Sequence, residues 1–236
     1  MHFGKGLFLA SIAWAIGLPT APARAADQPL LLGGTQWSPN STYSYLGAIL
    51  PLAPGTLGQG FFQRYWVDYL TYHYSGPSAL GIIQATSPGV QVALGYQWSG
   101  TGYYAALSLG GGYRYVHLNP YDATATIKGN IWSLIPEFEA GYDFTPYLQG
   151  NLIASYAFGP RQYWGRLRLG WRPDRLFRVG PEVILQGNPD YDAQQAGLFV
   201  GTDLGGGWGM EVDGGVQFSR NLARTGYAGL ALSKSF

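Results

Sequence analysis

Cysteine is absent from all 236 residues, and charge is sparse: 14 Lys plus Arg and 13 Asp plus Glu make up 11% of the chain. The first absence excludes disulfides, thiolate chemistry and cysteine-based zinc sites. The second, against a usual share near ~25%, excludes a disordered tail and leaves no basic surface for nucleic acid. Helix formers are also few, with three Lys and four Glu in the whole sequence. What is abundant is glycine, at 36 residues, together with 18 Tyr, 11 Phe and 8 Trp. That balance favours strands over helices.

Residues 1–25 carry Lys5, the apolar run Gly6 to Leu18 and then Ala21-Pro22-Ala23-Arg24-Ala25. The Ala23-x-Ala25 spacing suits signal peptidase, so we expect residues 1–25 to be a signal peptide cleaved after Ala25. The run is too short for a retained anchor, since a spanning helix needs ~20 apolar residues. Residues 26–236 are then an exported domain with 12 basic and 13 acidic side chains. A nearly neutral exported protein has no electrostatic reason to seek polyanions.

Beyond Ala25 the apolar residues recur with period 2 almost to the C-terminus, the pattern of strands with one oily face. In 132–144, Trp132, Leu134, Phe138, Ala140, Tyr142 and Phe144 alternate with Ser133, Glu137, Glu139, Gly141 and Asp143. The split repeats in Val90, Val92, Leu94, Tyr96, Trp98 and in Leu167, Leu169, Trp171 against Arg166, Arg168, Arg172. Such segments meet the ~9–11 residues a tilted strand needs to cross a bilayer. Aromatic pairs such as Tyr96 with Trp98 and Tyr142 with Phe144 sit near the ends of the oily faces, as interfacial girdles do. The charges lie opposite the oily face, among glycines. In a soluble barrel the oily face would fill the interior, and so many Trp and Tyr would crowd it.

The fold expected is therefore all-β: a closed antiparallel transmembrane barrel of outer-membrane type, in contact with membrane lipid. Twelve strands are expected, starting near Pro29, Thr42, Phe61, Val90, Tyr103, Ile131, Leu148, Tyr163, Leu176, Ala196, Gly207 and Gly226. Short links at 99–102, 145–147, 173–175 and 205–206 alternate with longer ones at 76–89, 118–130, 187–195 and 219–225, as periplasmic turns alternate with extracellular loops. The links at 53–60 and 159–162 depart from that rhythm. Both termini then face the periplasm. Phe236 after alternating Ala228, Leu230 and Leu232 resembles a terminal assembly signature, although Lys234 interrupts its oily face.

Reactive chemistry is harder to find. After cleavage only His73 and His117 remain, and neither a cofactor nor a metal is expected. His73 and Ser75 share a strand face with the spacing of outer-membrane phospholipases, but a nucleophile also needs an oriented base with a third partner. A girdle histidine among Tyr69, Tyr72 and Tyr74 is the plainer reading. Asp190 and Asp192 could offer hard oxygens to a divalent cation. Turn bonding after Pro189 explains them equally simply.

The inward charges carry more. A three-residue turn at 173–175 places Arg166 opposite Glu182, and we expect an ion pair there, joined by Arg168 and, from two strands away, by Glu137 and Glu139. One reading is a satisfied polar plug; the other is a narrow polar conduit or a saccharide contact surface. Twelve strands lie between the filled eight-stranded barrel and the open sixteen-stranded porin.

The segments Gln162-Tyr163-Trp164-Gly165-Arg166-Leu167-Arg168-Leu169-Gly170-Trp171-Arg172, Val179-Gly180-Pro181-Glu182 and Gly187-Asn188-Pro189-Asp190-Tyr191-Asp192-Ala193-Gln194 form one ordered set. With Leu94 to Trp98, Gly110 to Tyr115 and His117 to Pro120 upstream, the sequence resembles the BcsS family of cellulose-biosynthesis proteins. Gln195 stands where that pattern has Arg. The resemblance implies a pathway rather than a reaction: an exported, non-enzymatic accessory whose partners include cellulose and other cellulose-synthesis components. It directs attention to Asn188, Asp190, Tyr191, Asp192 and Gln194 as an outward loop able to contact an emerging glucan. A passive narrow channel, a lipid- or glycan-modifying barrel enzyme and a soluble periplasmic β-protein are the alternatives.

Overall fold

The computed structural model describes residues 29–236, apart from 54 and 175. The expected signal peptide lies outside the described residues. The chain forms twelve strands: β1 (Leu30–Ser38), β2 (Ser41–Pro51), β3 (Gly60–Ser75), β4 (Ile82–Gly100), β5 (Tyr103–Asn119), β6 (Gly129–Thr145), β7 (Leu148–Ala157), β8 (Gln162–Trp171), β9 (Phe177–Gly187), β10 (Asp192–Gly205), β11 (Trp208–Ser219) and β12 (Thr225–Ser235). Each pairs antiparallel with its sequence neighbours, and β1 pairs with β12 from Leu30↔Ser235 to Trp37↔Ala228, closing the barrel without an edge. Closure is what lets strands sit in lipid, where an unpaired backbone group costs several kcal/mol.

We label the end that carries both chain ends the inner end and the opposite one the outer end. Alternation puts Leu94, Leu107, Leu109, Leu167, Leu198 and Trp171 on the exposed outside. The aromatic pairs flank this belt: Phe61 meets Tyr96 at 4.9 Å near the inner end, and Tyr156 meets Phe158 at 5.0 Å near the outer end. The facing read from alternation holds on every strand named above. Glycines on the inner face make room for large side chains: a Cβ on Gly47 would collide with Trp66, and one on Gly201 with Arg178.

The wall is uneven. Strands β3 to β6 run 16–19 residues, whereas β7 to β9 run 10 or 11. The excess of about six residues amounts to roughly 20 Å of additional strand at the outer end. Along that excess the polarity inverts. Below Pro88, β4 turns Val90, Val92 and Leu94 outward; above it, Gln84 and Thr86 face out while Ile83 and Ala85 face in and are fully buried. On β3 and β5 the same change leaves His73, Ser75, His117 and Asn119 facing out, with Tyr72, Tyr74, Val116 and Leu118 buried inside. An oily outside suits lipid and an oily inside suits water, so the inversion marks the level at which the wall leaves the apolar belt.

Two expected strand starts need correction. Strand β4 starts at Ile82, not Val90, so the outer link there is 76–81. Strand β10 starts at Asp192, not Ala196. The departure from the short–long alternation expected at 53–60 is present: the inner link there is 52–59, and the outer link before it is 39–40.

Candidate functional site

Buried side chains of the tall wall fill the outer mouth. Strand order sets β4 diametrically opposite β10, and a buried cluster bridges them. It joins Tyr72, Tyr74, Ile83, Ala85, Val116 and Leu118 of β3 to β5 with Tyr191 and Ala193 on the far side. Between them the β5–β6 loop folds inward and buries Ala125 and Ile127. Asp190 latches this loop: its two carboxylate oxygens accept the Thr126 amide at 3.2 Å and the Ile127 amide at 2.7 Å. Asn188 accepts the Asp190 and Tyr191 amides at 2.9 Å each, and the Tyr191 ring meets Tyr72 at 4.9 Å. The loop's own anchor is Asp122, which accepts the Thr124 hydroxyl at 2.6 Å and the Tyr74 phenol at 3.2 Å. The hydrogen bond from the Thr124 hydroxyl, with others beside it, holds the Asp122 carboxyl below the ordinary range.

The 188–194 segment is thus an outer loop, as expected, but it acts as the far side of a lid. Asn188 and Tyr191 are buried, Asp190 and Asp192 half-buried, and Gln194 alone of the five is exposed. Asp192 takes the Tyr163 phenol and lies 3.8 Å from Arg220, so Asp190 and Asp192 serve different partners. Gln195 is buried and donates to Gln217 at 2.8 Å. Substituting Asp190→Ala removes two hydrogen bonds to a charged acceptor, together worth about 2 kcal/mol or more. We expect amides 123–128 to exchange with solvent at least tenfold faster; unchanged protection by hydrogen exchange would refute the latch.

Under the lid lies a polar layer in which Arg114 binds Asp68 and donates to the Ser87 carbonyl at 2.8 Å. Deeper, on β8 to β11, Arg168 donates to Glu182 at 2.7 Å and to Glu211, with Arg178 3.8 Å from Glu211. The Tyr227 phenol donates to the other Glu182 oxygen at 2.8 Å, and Arg168 lies over the Phe199 ring at 4.5 Å. On the opposite wall Arg64 pairs with Glu137, and Glu139 accepts the Tyr104 phenol at 3.2 Å.

The expected Arg166–Glu182 register is therefore corrected. All these side chains face inward, but Arg168 stands opposite Glu182 and Arg166 opposite Ile184. The turn is longer than three residues because Asp174 accepts the amides of Leu176 and Phe177 at 2.7 and 2.8 Å. A slip of two preserves the face and changes the partner. Glu137 pairs with Arg64 instead, and Glu139 accepts the Tyr104 phenol with Arg166 and Arg64 as its neighbouring positive charges. Arg64, Arg178 and Glu211 were missed, and strand periodicity alone offered no signal for pairs that close across the lumen.

Between the layers remains a cavity of about 250 Å³. Its floor is apolar, with Phe62 and Ile49 buried against Leu30 and Leu32, and Leu57 of the inner link packed beside them. Its lining reaches the outer rim at Ala157, Pro160 and Gln162, where the wall is lowest. His73 and Ser75 lie outside it, on the outward face of β3, and the Ser75 hydroxyl donates to the Asn221 carbonyl at 3.2 Å.

Comparison with known proteins adds the following. The family model for cellulose biosynthesis protein BcsS matches residues 30–236. No curated protein sequence matches the chain. Among solved structures, an outer membrane channel from Pseudomonas putida F1 superposes with a TM-score of 0.57 at 12% identity, covering 91% of this chain and 97% of that one. The KdgM porin in complex with disordered oligogalacturonate gives a TM-score of 0.55 at 11% identity over 88% and 99% of the two chains. The CymD monoaromatic hydrocarbon channel gives 0.54 at 8% identity over 99% of both. Identities this low speak for a shared outer-membrane barrel fold and nothing finer.

Proposed function

The chain belongs to the family of cellulose biosynthesis protein BcsS, and from that premise we propose that it is a non-enzymatic accessory barrel of the outer membrane. In this reading it assists the export, placement or surface retention of the glucan without carrying the polymer through its lumen. The observation that carries the reading is the interior: a lidded mouth, two charge-paired layers and a central space of about 250 Å³. That space holds one or two sugar rings, and a polymer in transit needs an unbroken path. The apolar belt and girdles support placement in the outer membrane, with the tall wall on the cell surface. The passive-channel reading draws support from the polar cavity lining, but lid and floor both oppose conduction.

The test is deletion in a cellulose-producing cell. We expect surface-bound glucan to fall or redistribute several-fold while synthase activity in inner-membrane vesicles stays at the parental level. Unchanged extracellular polymer would refute the accessory role. Large, steady conductance of the purified barrel in planar bilayers would favour the channel instead.

A further inference from the structure

We propose that the central cavity is a binding site for a neutral β-linked saccharide of one or two hexose rings. The proposal gives a ligand class to the barrel described above, and rests on that reading only for the choice of a glucan fragment.

Four features of the cavity converge. First, inward residues of a filled barrel are normally sealed, yet Tyr45, Trp66, Trp164 and Arg166 face inward and keep accessible surface. Rings left partly open to an interior space present apolar surface that a ligand can cover.

Second, the strand order arranges these groups in opposed pairs. Tyr45 on β2 and Trp66 on β3 stack at 4.7 Å and 9°. Trp164 and Arg166, whose guanidinium lies 5.9 Å from the Trp164 ring, come from β8, diametrically opposite β2. The Tyr104–Glu139 pair comes from β5 and β6, while Asp213, which accepts the Gln36 amide at 3.1 Å, comes from β11, opposite β5. Two aromatic walls thus face each other, and two carboxylate walls close the remaining sides. A pyranose has this shape: C–H groups on both faces and hydroxyls around its rim. When the hydroxyls are equatorial, as in β-linked glucose, both faces are apolar and flat. Carboxylates and amides with free lone pairs accept hydroxyl protons at the rim.

Third, the charge balance selects against ions. The lining contains four arginines and four carboxylates, with Arg64 held by Glu137 and Arg168 by Glu182 and Glu211. Such a lining offers an acidic sugar no excess positive field. Fourth, the volume of about 250 Å³ falls just below the ~300–1,000 Å³ of drug-sized ligand pockets, which restricts the occupant to one or two rings and excludes a longer chain. Access is from the outer rim at Pro160, where β7 and β8 are short.

The test is isothermal titration of the purified, detergent-folded barrel with cellobiose, maltose and trigalacturonate. We expect saturable cellobiose binding, weaker maltose binding and none of trigalacturonate. Trp66→Ala and Trp164→Ala should each weaken cellobiose at least tenfold, while Trp132→Ala, on the exposed outer face, should leave it unchanged. Heat-modifiable mobility identifies variants that fold. No cellobiose binding, preference for trigalacturonate, or loss in Trp132→Ala alone would overturn the site. Failure to bind alongside an altered glucan phenotype on deletion would remove this inference and leave the accessory role standing.

Discussion

Replacing Arg168 with methionine is expected to destabilise the folded barrel by about 3–5 kcal/mol, the usual cost of removing one partner from a buried ion cluster. Arg168 is the hub of its layer. It donates to Glu182 at 2.7 Å and also to Glu211, and all three side chains are at most 4% exposed. Methionine fills similar volume without charge, so two carboxylates would remain in a closed interior after losing their hydrogen-bonded cation, with Arg178, 3.8 Å from Glu211, and Arg166 as neighbouring charges. The loss is mainly the desolvation of stranded charge, which makes the experiment specific. Adding Glu182→Gln to Arg168→Met should recover about half of it, because residue 182 can still accept the Tyr227 phenol and Glu211 keeps Arg178. The measurement is the denaturant midpoint of the heat-modifiable band in detergent. An unchanged midpoint in the single variant, or a lower one in the double, would mean that the layer does not hold the wall as described.

That layer also illustrates what a single sequence can carry. Facing is a period-2 property, so the inward placement of Arg166, Arg168, Glu182, Glu137 and Glu139 was legible residue by residue. Partnership was not, for two reasons. The β8–β9 register depends on a turn whose length is set by the Asp174 carboxylate, and reading three residues there moved every pair by two. The remaining contacts close across the lumen, Arg168 of β8 to Glu211 of β11 and Arg64 of β3 to Glu137 of β6. They depend on barrel diameter rather than on any local pattern. The lid was hidden for another reason. A strand that reverses its polarity midway reads as two short pieces or a loop, and 82–89 reads as a link because Ile83 and Ala85 face in while Gln84 and Thr86 face out. Asn188, Asp190 and Tyr191, expected as outward contacts, are parts of the lid because Tyr191 packs into that inward cluster and Asp190 holds the β5–β6 loop.

The reversal itself makes the sharpest test of where the membrane lies. Leu94 and Gln84 occupy the same outward face of one strand, both exposed, one within the belt and the other above it. A cation on the lipid face near the bilayer midplane costs about 2–4 kcal/mol, and near or beyond the interface about 0–1 kcal/mol. Leu94→Arg should therefore lower the folding free energy in lipid bilayers by about 3 kcal/mol, whereas Gln84→Arg should change it by under about 0.5 kcal/mol. In water the ranking would differ, since both sites would accept a solvated guanidinium at little cost. A third variant fixes the interpretation: Ile83→Arg puts the cation into the buried lid cluster and should be as damaging as Leu94→Arg, but in detergent and bilayer alike. Equal penalties for Leu94→Arg and Gln84→Arg in bilayers would mean that the belt extends to the rim. A penalty confined to Leu94, with Ile83 sensitive in every solvent, requires a strand that begins as membrane wall and ends as a water-facing lid.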